Sequence, residues 1–149
     1  HGIDATLHYH LTPVWSIRSR TSLVRGRDLV RNEWLFQMPS DRTESAFLFT
    51  LSKAGKWSVV EVSASSTVVF EQSRIPVGLD FTTPPGTYHL IGLSSTATRK
   101  LGKGELRIGL QANNILNTTY RDYMDRFRYY ADARGTDLTL WIRYSFGNH

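Results

Sequence analysis

Hydrophobic and polar positions alternate with period two along most of this chain, the pattern of half-buried β-strands. Ile3, Ala5, Leu7, Tyr9 and Leu11 are apolar, with Asp4, Thr6, His8, His10 and Thr12 between them. Thr12-Pro13 breaks the pattern, and Trp15, Ile17, Thr21 and Leu23 then oppose Ser16, Arg18, Arg20 and Ser22. Further strands are predicted over 45–52 (Phe47, Phe49 and Leu51 on one face), 57–70, 87–98, 106–113 and 138–146. The strand at 87–98 is noisier, because Leu90 and Ile91 fall on opposite faces. Seven strands result. Their connections alternate short and long: Thr12-Pro13, 53–56 and 99–104 are short, whereas 25–43, 71–86 and 114–135 are long.

Loops beyond ~12–15 residues are uncommon in compact domains. Three of them on alternate connections would leave an up-and-down sheet from the same end. That asymmetry predicts an all-β, antiparallel up-and-down chain of the kind that forms outer-membrane barrels, with short turns on one side and long loops on the other. The alternation itself is neutral. A sandwich would bury the apolar face against a second sheet, and a membrane barrel would turn it to lipid. Aromatic residues near strand ends (Tyr9, Trp15, Trp57, Tyr88, Tyr144, Phe146) suit interfacial girdles.

Composition narrows the field. The chain has 149 residues, 40% of them hydrophobic and 21% charged, which is too apolar for a disordered segment. It has no Cys, so a disulfide framework and a thiolate metal site are excluded. A membrane-spanning helix needs ~20 apolar residues, far beyond the run Ala46–Phe49. The start, His1-Gly2-Ile3-Asp4, lacks the basic-then-apolar order of a signal peptide. The net charge of +5 is dispersed: Arg and acids nearly balance within the three long loops. The surplus sits on strands (Arg18, Arg20, Arg107, Arg143) and in short turns (Lys53, Lys56, Arg99, Lys100, Lys103). Nucleic-acid binding calls for one concentrated basic face, so it is not expected.

Candidate chemistry is that of binding. No nucleophile elbow, phosphate-cradling glycine loop or His-Glu-x-x-His is present, and no enzyme is expected. His8 and His10 share a strand face, but a metal needs a third ligand and none is identifiable, so the pair is expected to be hydrated and lumen-facing, with no metal site. On the polar faces, Arg18, Arg20, Arg107 and Arg143 would either steer an anionic solute or pair with carboxylates such as Glu61. Tyr120, Tyr123, Met124, Phe127 and Tyr130 are spaced by three and four, which predicts a short amphipathic helix over 120–131, capped by Asn117-Thr118-Thr119. The helix would pack on the rim or present Arg126, Arg128, Tyr129 and Tyr130 to an anionic or aromatic ligand. Trp34, Leu35, Phe36 and Met38 form a second apolar cluster in the first long loop. Asn117-Thr118-Thr119 matches a glycosylation sequon, which would be incidental if the source is bacterial.

Three stretches resemble the C-terminal barrel of TonB-dependent outer-membrane receptors. Residues 106–146 run from an alternating strand through Asn113-Asn114-Ile115-Leu116-Asn117 and Tyr120-Arg121-Asp122-Tyr123 to a closing strand. They are similar to the family's Asn-Leu-Phe-Asn-x-x-Tyr signature and last two strands, with Ile115-Leu116 in place of Leu-Phe. Met38-Pro39-Ser40-Asp41-Arg42 resembles a Pro-Pro-x-Arg turn, with Ser40 for one Pro, and Pro84-Pro85-Gly86-Thr87-Tyr88 resembles a loop leading into the next strand. Leu138, Leu140, Ile142, Tyr144 and Phe146 resemble the signal read by the barrel-assembly machinery, although Gly147-Asn148-His149 follow.

The resemblance implies a bacterial outer-membrane receptor for active uptake of a scarce solute, such as an iron–siderophore complex, with no resident cofactor. Its partners would be the rest of a barrel of about 22 strands, a plug domain, TonB, the assembly machinery and outer-membrane lipid. Seven strands would be roughly the last third. Two other readings of the residues stay open: a small closed barrel serving as adhesin or structural protein, and a soluble carbohydrate-binding sandwich.

Overall fold

The computed structural model describes residues 1–146; the tail 147–149 lies outside the described residues. The strands are β1 (Gly2–His10), β2 (Trp15–Val24), β3 (Arg27–Asp28), β4 (Glu33–Trp34), β5 (Arg42–Ala54), β6 (Trp57–Val69), β7 (Tyr88–Leu101), β8 (Gly104–Asn113) and β9 (Asp137–Ser145). Seven of them form one antiparallel up-and-down sheet in the order β1-β2-β5-β6-β7-β8-β9. The sheet is open, with β1 and β9 at its edges. The first long loop holds a two-stranded ribbon, β3-β4, that alternation is too short to reveal. The sheet strands run past their predicted ends: β5 begins at Arg42 and β7 extends to Leu101.

Short turns have local causes. Thr12 Oγ1 accepts from the Trp15 N–H at 3.0 Å, closing the first one beside Pro13. Ala54 pairs with Trp57 and Leu101 with Gly104, leaving two-residue turns whose first residues, Gly55 and Gly102, have φ of 62° and 58°. Those left-handed angles suit glycine.

Register separates the faces. Ile3, Leu7 and Tyr9 of β1 share a face with Ile17 and Leu23 of β2, and the ladder continues it across Phe47 and Phe49, Val60 and Val62, Leu93, Ile108 and Leu110 to Leu140 and Ile142. Nothing in the described residues covers this face: Ile3 is 63% exposed, Leu7 61%, Leu138 69% and Ile142 66%. The opposite face carries Asp4, His8, Arg18, Arg20, Glu44, Glu61, Gln111 and Arg143. Toward the short turns, the apolar face becomes aromatic. Trp15 lies 4.8 Å from Phe47 and 4.4 Å from Phe49, and Tyr144 lies 4.8 Å from Phe146. Trp57 and Tyr88 were expected in such a girdle, but register puts both on the polar side, because Trp57 pairs with Ala54 and Tyr88 with Val69.

Strands β8 and β9 interlock through glycine. Gly109 stands directly opposite Trp141, whose indole covers it so closely that a Cβ there would come within 2.2 Å of the ring. We expect Gly109→Val to expel the indole and cost about 1–3 kcal/mol. A red-shifted emission from Trp141, in a chain whose other three tryptophans are Phe, checks this; unshifted emission would contradict the packing.

Candidate functional site

All three long loops leave from one end of the sheet, and there most of the buried side chains gather: Ser40, Val69, Gln72, Tyr88, Asn114, Tyr123 and Arg128, with Thr98 buried toward the other end. Polar bonds tie the loops to one another. Gln72, fully buried in the second loop, donates through Nε2 to the Met38 and Pro39 carbonyls of the first at 2.9 and 3.0 Å. Arg25 grips Asp41 with two hydrogen bonds. Arg74 of the second loop stands 3.0 Å from the same carboxylate, an ion contact without hydrogen-bond alignment. Asp122 of the third loop accepts from Tyr88 Oη at 2.8 Å and from Arg42 at 3.4 Å.

The second and third loops meet at Asp80. Arg128 Nη2 reaches its two oxygens at 2.7 and 2.6 Å, and Tyr129 Oη donates to it at 3.0 Å. The guanidinium also lies over two rings, 4.7 Å from Tyr123 and 4.3 Å from Tyr129. Both charged side chains are almost wholly buried, at 3% and 4% exposure.

The electrostatics follow from these contacts. Burial pushes the Asp80 carboxyl up, but the bonds from Arg128 and Tyr129 outweigh it and hold the group below the ordinary carboxylate range. At Asp41, burial is likewise outweighed by Arg25 and Arg74, again giving a lowered value. Burial and the Asp80 bond raise the Tyr129 phenol. Carboxylates depressed on folding stabilise the loop layer fully above the unfolded Asp value of about 3.9, and that stabilisation drains away as pH falls through the folded values. We therefore expect the layer to loosen below about pH 4. Pepsin should cut within 71–86 and 114–135 far faster at pH 2 than at pH 4, with β-sheet circular dichroism retained. Equal cutting at the two values, after correction for pepsin's own activity, would contradict this.

The predicted ligand-contacting residues separate into two groups. Arg128 is locked inside the loop layer and Tyr129 is half-buried against Asp80 and Phe81, whose ring is 5.9 Å away. Arg126 and Tyr130 face solvent, Tyr130 at 85% exposure. In the first loop, Trp34 is half-buried with Arg27 5.4 Å from its ring, and Phe36 is also half-buried. The link between the first and third loops runs through Arg42 and Asp122.

The predicted helix over 120–131 is absent. A single 3-10 turn, Arg126–Tyr129, stands in its place. Asp122 Oδ1 takes the Met124 N–H at 2.8 Å and Asp125 Oδ1 takes the Phe127 N–H at 2.9 Å, so short side chains capture amides that a helix would need. Its N-cap is Asp125, whereas Asn117 adopts φ 51° and accepts from the Thr136 N–H at 3.1 Å.

On the polar face, Arg18, Arg20, Arg107 and Arg143 are all exposed. None takes Glu61 as an ion-pair partner; Glu61 accepts from Thr96 Oγ1 at 3.0 Å instead. Arg20 stands 3.8 Å from Asp4. Arg107 Nε donates to Thr98 Oγ1 at 3.2 Å, and Arg143 lies directly opposite it in the ladder, 5.8 Å from the Trp141 ring. A concavity of about 600 Å³ is lined by Asp4, Thr6, Arg18, Arg20, Glu44 and Thr67. Next to it, under the third loop, a smaller one of about 360 Å³ adds Asn113, Tyr120, Arg134 and Asp137. Such a wall offers hydrogen bonds and balanced charge to a hydrated or polar occupant. Leu138, Leu140, Ile142 and Tyr144 project from the opposite, apolar side of β9, and Phe146 follows the strand at 82% exposure. Among the described residues, no group of three or more His, Asp or Glu is gathered for a metal ion.

Sequence reasoning missed Asp41, Gln72, Asp80 and Asp122, the residues that join the loops. The near balance of Arg and acids within the loops was the available signal for the three aspartates. Gln72 gave none. Comparison of the chain with family models, curated proteins and solved structures finds no match.

Proposed function

We propose that this chain is part of the β-barrel wall of a TonB-dependent outer-membrane receptor, which takes up a scarce solute such as an iron–siderophore complex. One observation carries the membrane part of this reading: an apolar face spans all seven strands with no covering layer among the described residues. In water such a face is a large liability, and in a bilayer it is what lipid requires. The aromatic fringe toward the short turns and the long loops at the other end support the same orientation. The TonB part rests on the motif resemblance alone.

In this reading the apolar face meets outer-membrane lipid and the polar face lines a lumen filled by a plug. The loop layer faces the outside, where Arg126, Tyr130, Trp34 and Phe36 are the solute-contacting candidates. Unpaired backbone groups cannot sit in hydrocarbon, so the edges β1 and β9 require further barrel strands. The Leu138–Phe146 stretch would serve the assembly machinery.

Two measurements test the two parts. Trp15 emission should be quenched by brominated acyl chains when the whole barrel that contains the chain is in vesicles; absence of quenching removes the membrane assignment. Deleting the gene that encodes the chain should abolish uptake of the solute, and deleting TonB should do the same. Uptake unaffected by TonB, with Trp15 still quenched, would leave a barrel of another kind.

A further inference from the structure

We propose that His8 and His10 form a two-imidazole site for a divalent transition-metal ion on the polar face of β1. The pair sits two residues apart on one strand, so both rings leave the same face. Register confirms the shared side: His8 stands opposite Arg18, and His10 opposite Ser16. Both side chains are exposed, and their ring centroids are 4.5 Å apart at an interplanar angle of 50°. Two nitrogens bound to one ion at 2.0–2.1 Å stand roughly 3–3.5 Å apart. Ring centroids 4.5 Å apart leave room for one nitrogen of each ring to come to that separation. The strand itself holds the two donors in place, so little conformational freedom is lost on chelation.

The surroundings define the ion's chemistry. Imidazole suits Cu²⁺, Ni²⁺ and Zn²⁺, with Cu²⁺ the tightest and no place for Ca²⁺ or Mg²⁺. The charged groups nearby on this face are Arg18 opposite His8, then Arg20 and Asp4 toward the loops, the last two 3.8 Å apart. Arg18 disfavours a bare dication, so the bound ion keeps water or a small anion in its remaining positions. The other side of β1 is a free edge. A strand pairing there would set one side chain beside each histidine on the same face, and this is where a third protein ligand would enter.

The site is distinct from the loop layer and independent of the TonB reading. It is tested on the whole barrel protein that contains this chain, purified in detergent micelles and carrying His1→Gln, which removes a neighbouring imidazole. Titration with NiCl₂ should show a site that depends on both histidines. His8→Asn and His10→Asn should each weaken it roughly 100-fold, because each destroys the chelate. The double variant, which keeps neither imidazole, should abolish the site. With Cu²⁺, electron paramagnetic resonance should show coupling to two equivalent imidazole nitrogens, reduced to one in each single variant. Sheet circular dichroism of the variants confirms that they fold, as expected for exposed positions on an edge strand. Loss of less than about threefold in both singles, or a one-nitrogen spectrum in the parent chain, would overturn the proposal.

Discussion

Leu110→Arg is expected to destabilise the chain in a bilayer by about 2–4 kcal/mol, while Gln111→Arg, one residue on, should cost little. The two positions differ only in the face they occupy. Leu110 lies abreast of Ser95 and Leu140, and through Ser95 of Val62, on the apolar side, and is 44% exposed with nothing over it. Gln111 is exposed on the polar side, its side chain bonded to Asn113 at 2.9 Å. An arginine at 110 would place its charge in hydrocarbon unless it bent toward an interface. The same arginine at 111 would join a face that already holds Arg107 and Arg143. Urea unfolding of the whole barrel that contains the chain, from phosphatidylcholine vesicles, measures both differences. Equal costs at the two sites would show that the alternation does not separate lipid from water, and the membrane reading would fall with it.

Asp80→Asn is expected to cost about 3–5 kcal/mol in the ordering of the second and third loops, because it leaves the Arg128 guanidinium buried and without its charge partner. Cation–π contact with Tyr123 and Tyr129 would offset only part of this, about 1–2 kcal/mol. The effect should be local. Hydrogen exchange within 71–86 and 114–135 should accelerate strongly, while amides of β5, β6 and β7 keep their protection. Asp80→Leu with Arg128→Met should recover most of the order, since two apolar side chains of similar bulk leave no stranded charge. If the single and double variants exchange alike, the ion pair is not what holds these loops.

The loops owe their order to residues far apart in the chain, and this is where reading the sequence stops. Arg128 meets Asp80 across 48 residues, and Arg42 meets Asp122 across 80. No local pattern marks such pairs. The spacing that suggested a helix over 120–131 was real, with apolar residues recurring at three and four. It failed because Tyr123 and Arg128 are drawn into the loop layer while Phe127 and Tyr130 stay in solvent, so no single helical face is satisfied. Arg128 therefore changes from a candidate contact to a structural post. Tyr88 makes the same change, from girdle residue to the hydrogen-bond donor that fixes Asp122.

The sheet was legible because a strand's side-chain direction is set by the backbone alone. Every second residue points the same way, so alternation in β1, β2, β5, β6, β8 and β9 determines the faces before any partner is known. Glycine-bearing turns and long alternate connections similarly determine the up-and-down order, since a two-residue turn admits only an antiparallel neighbour. Tertiary structure decided what the backbone period does not encode: which residue of one loop meets which of another, and whether an arginine is free or buried. Those outcomes depend on distances between segments far apart in the chain, and the spacing of residues along a strand does not determine them.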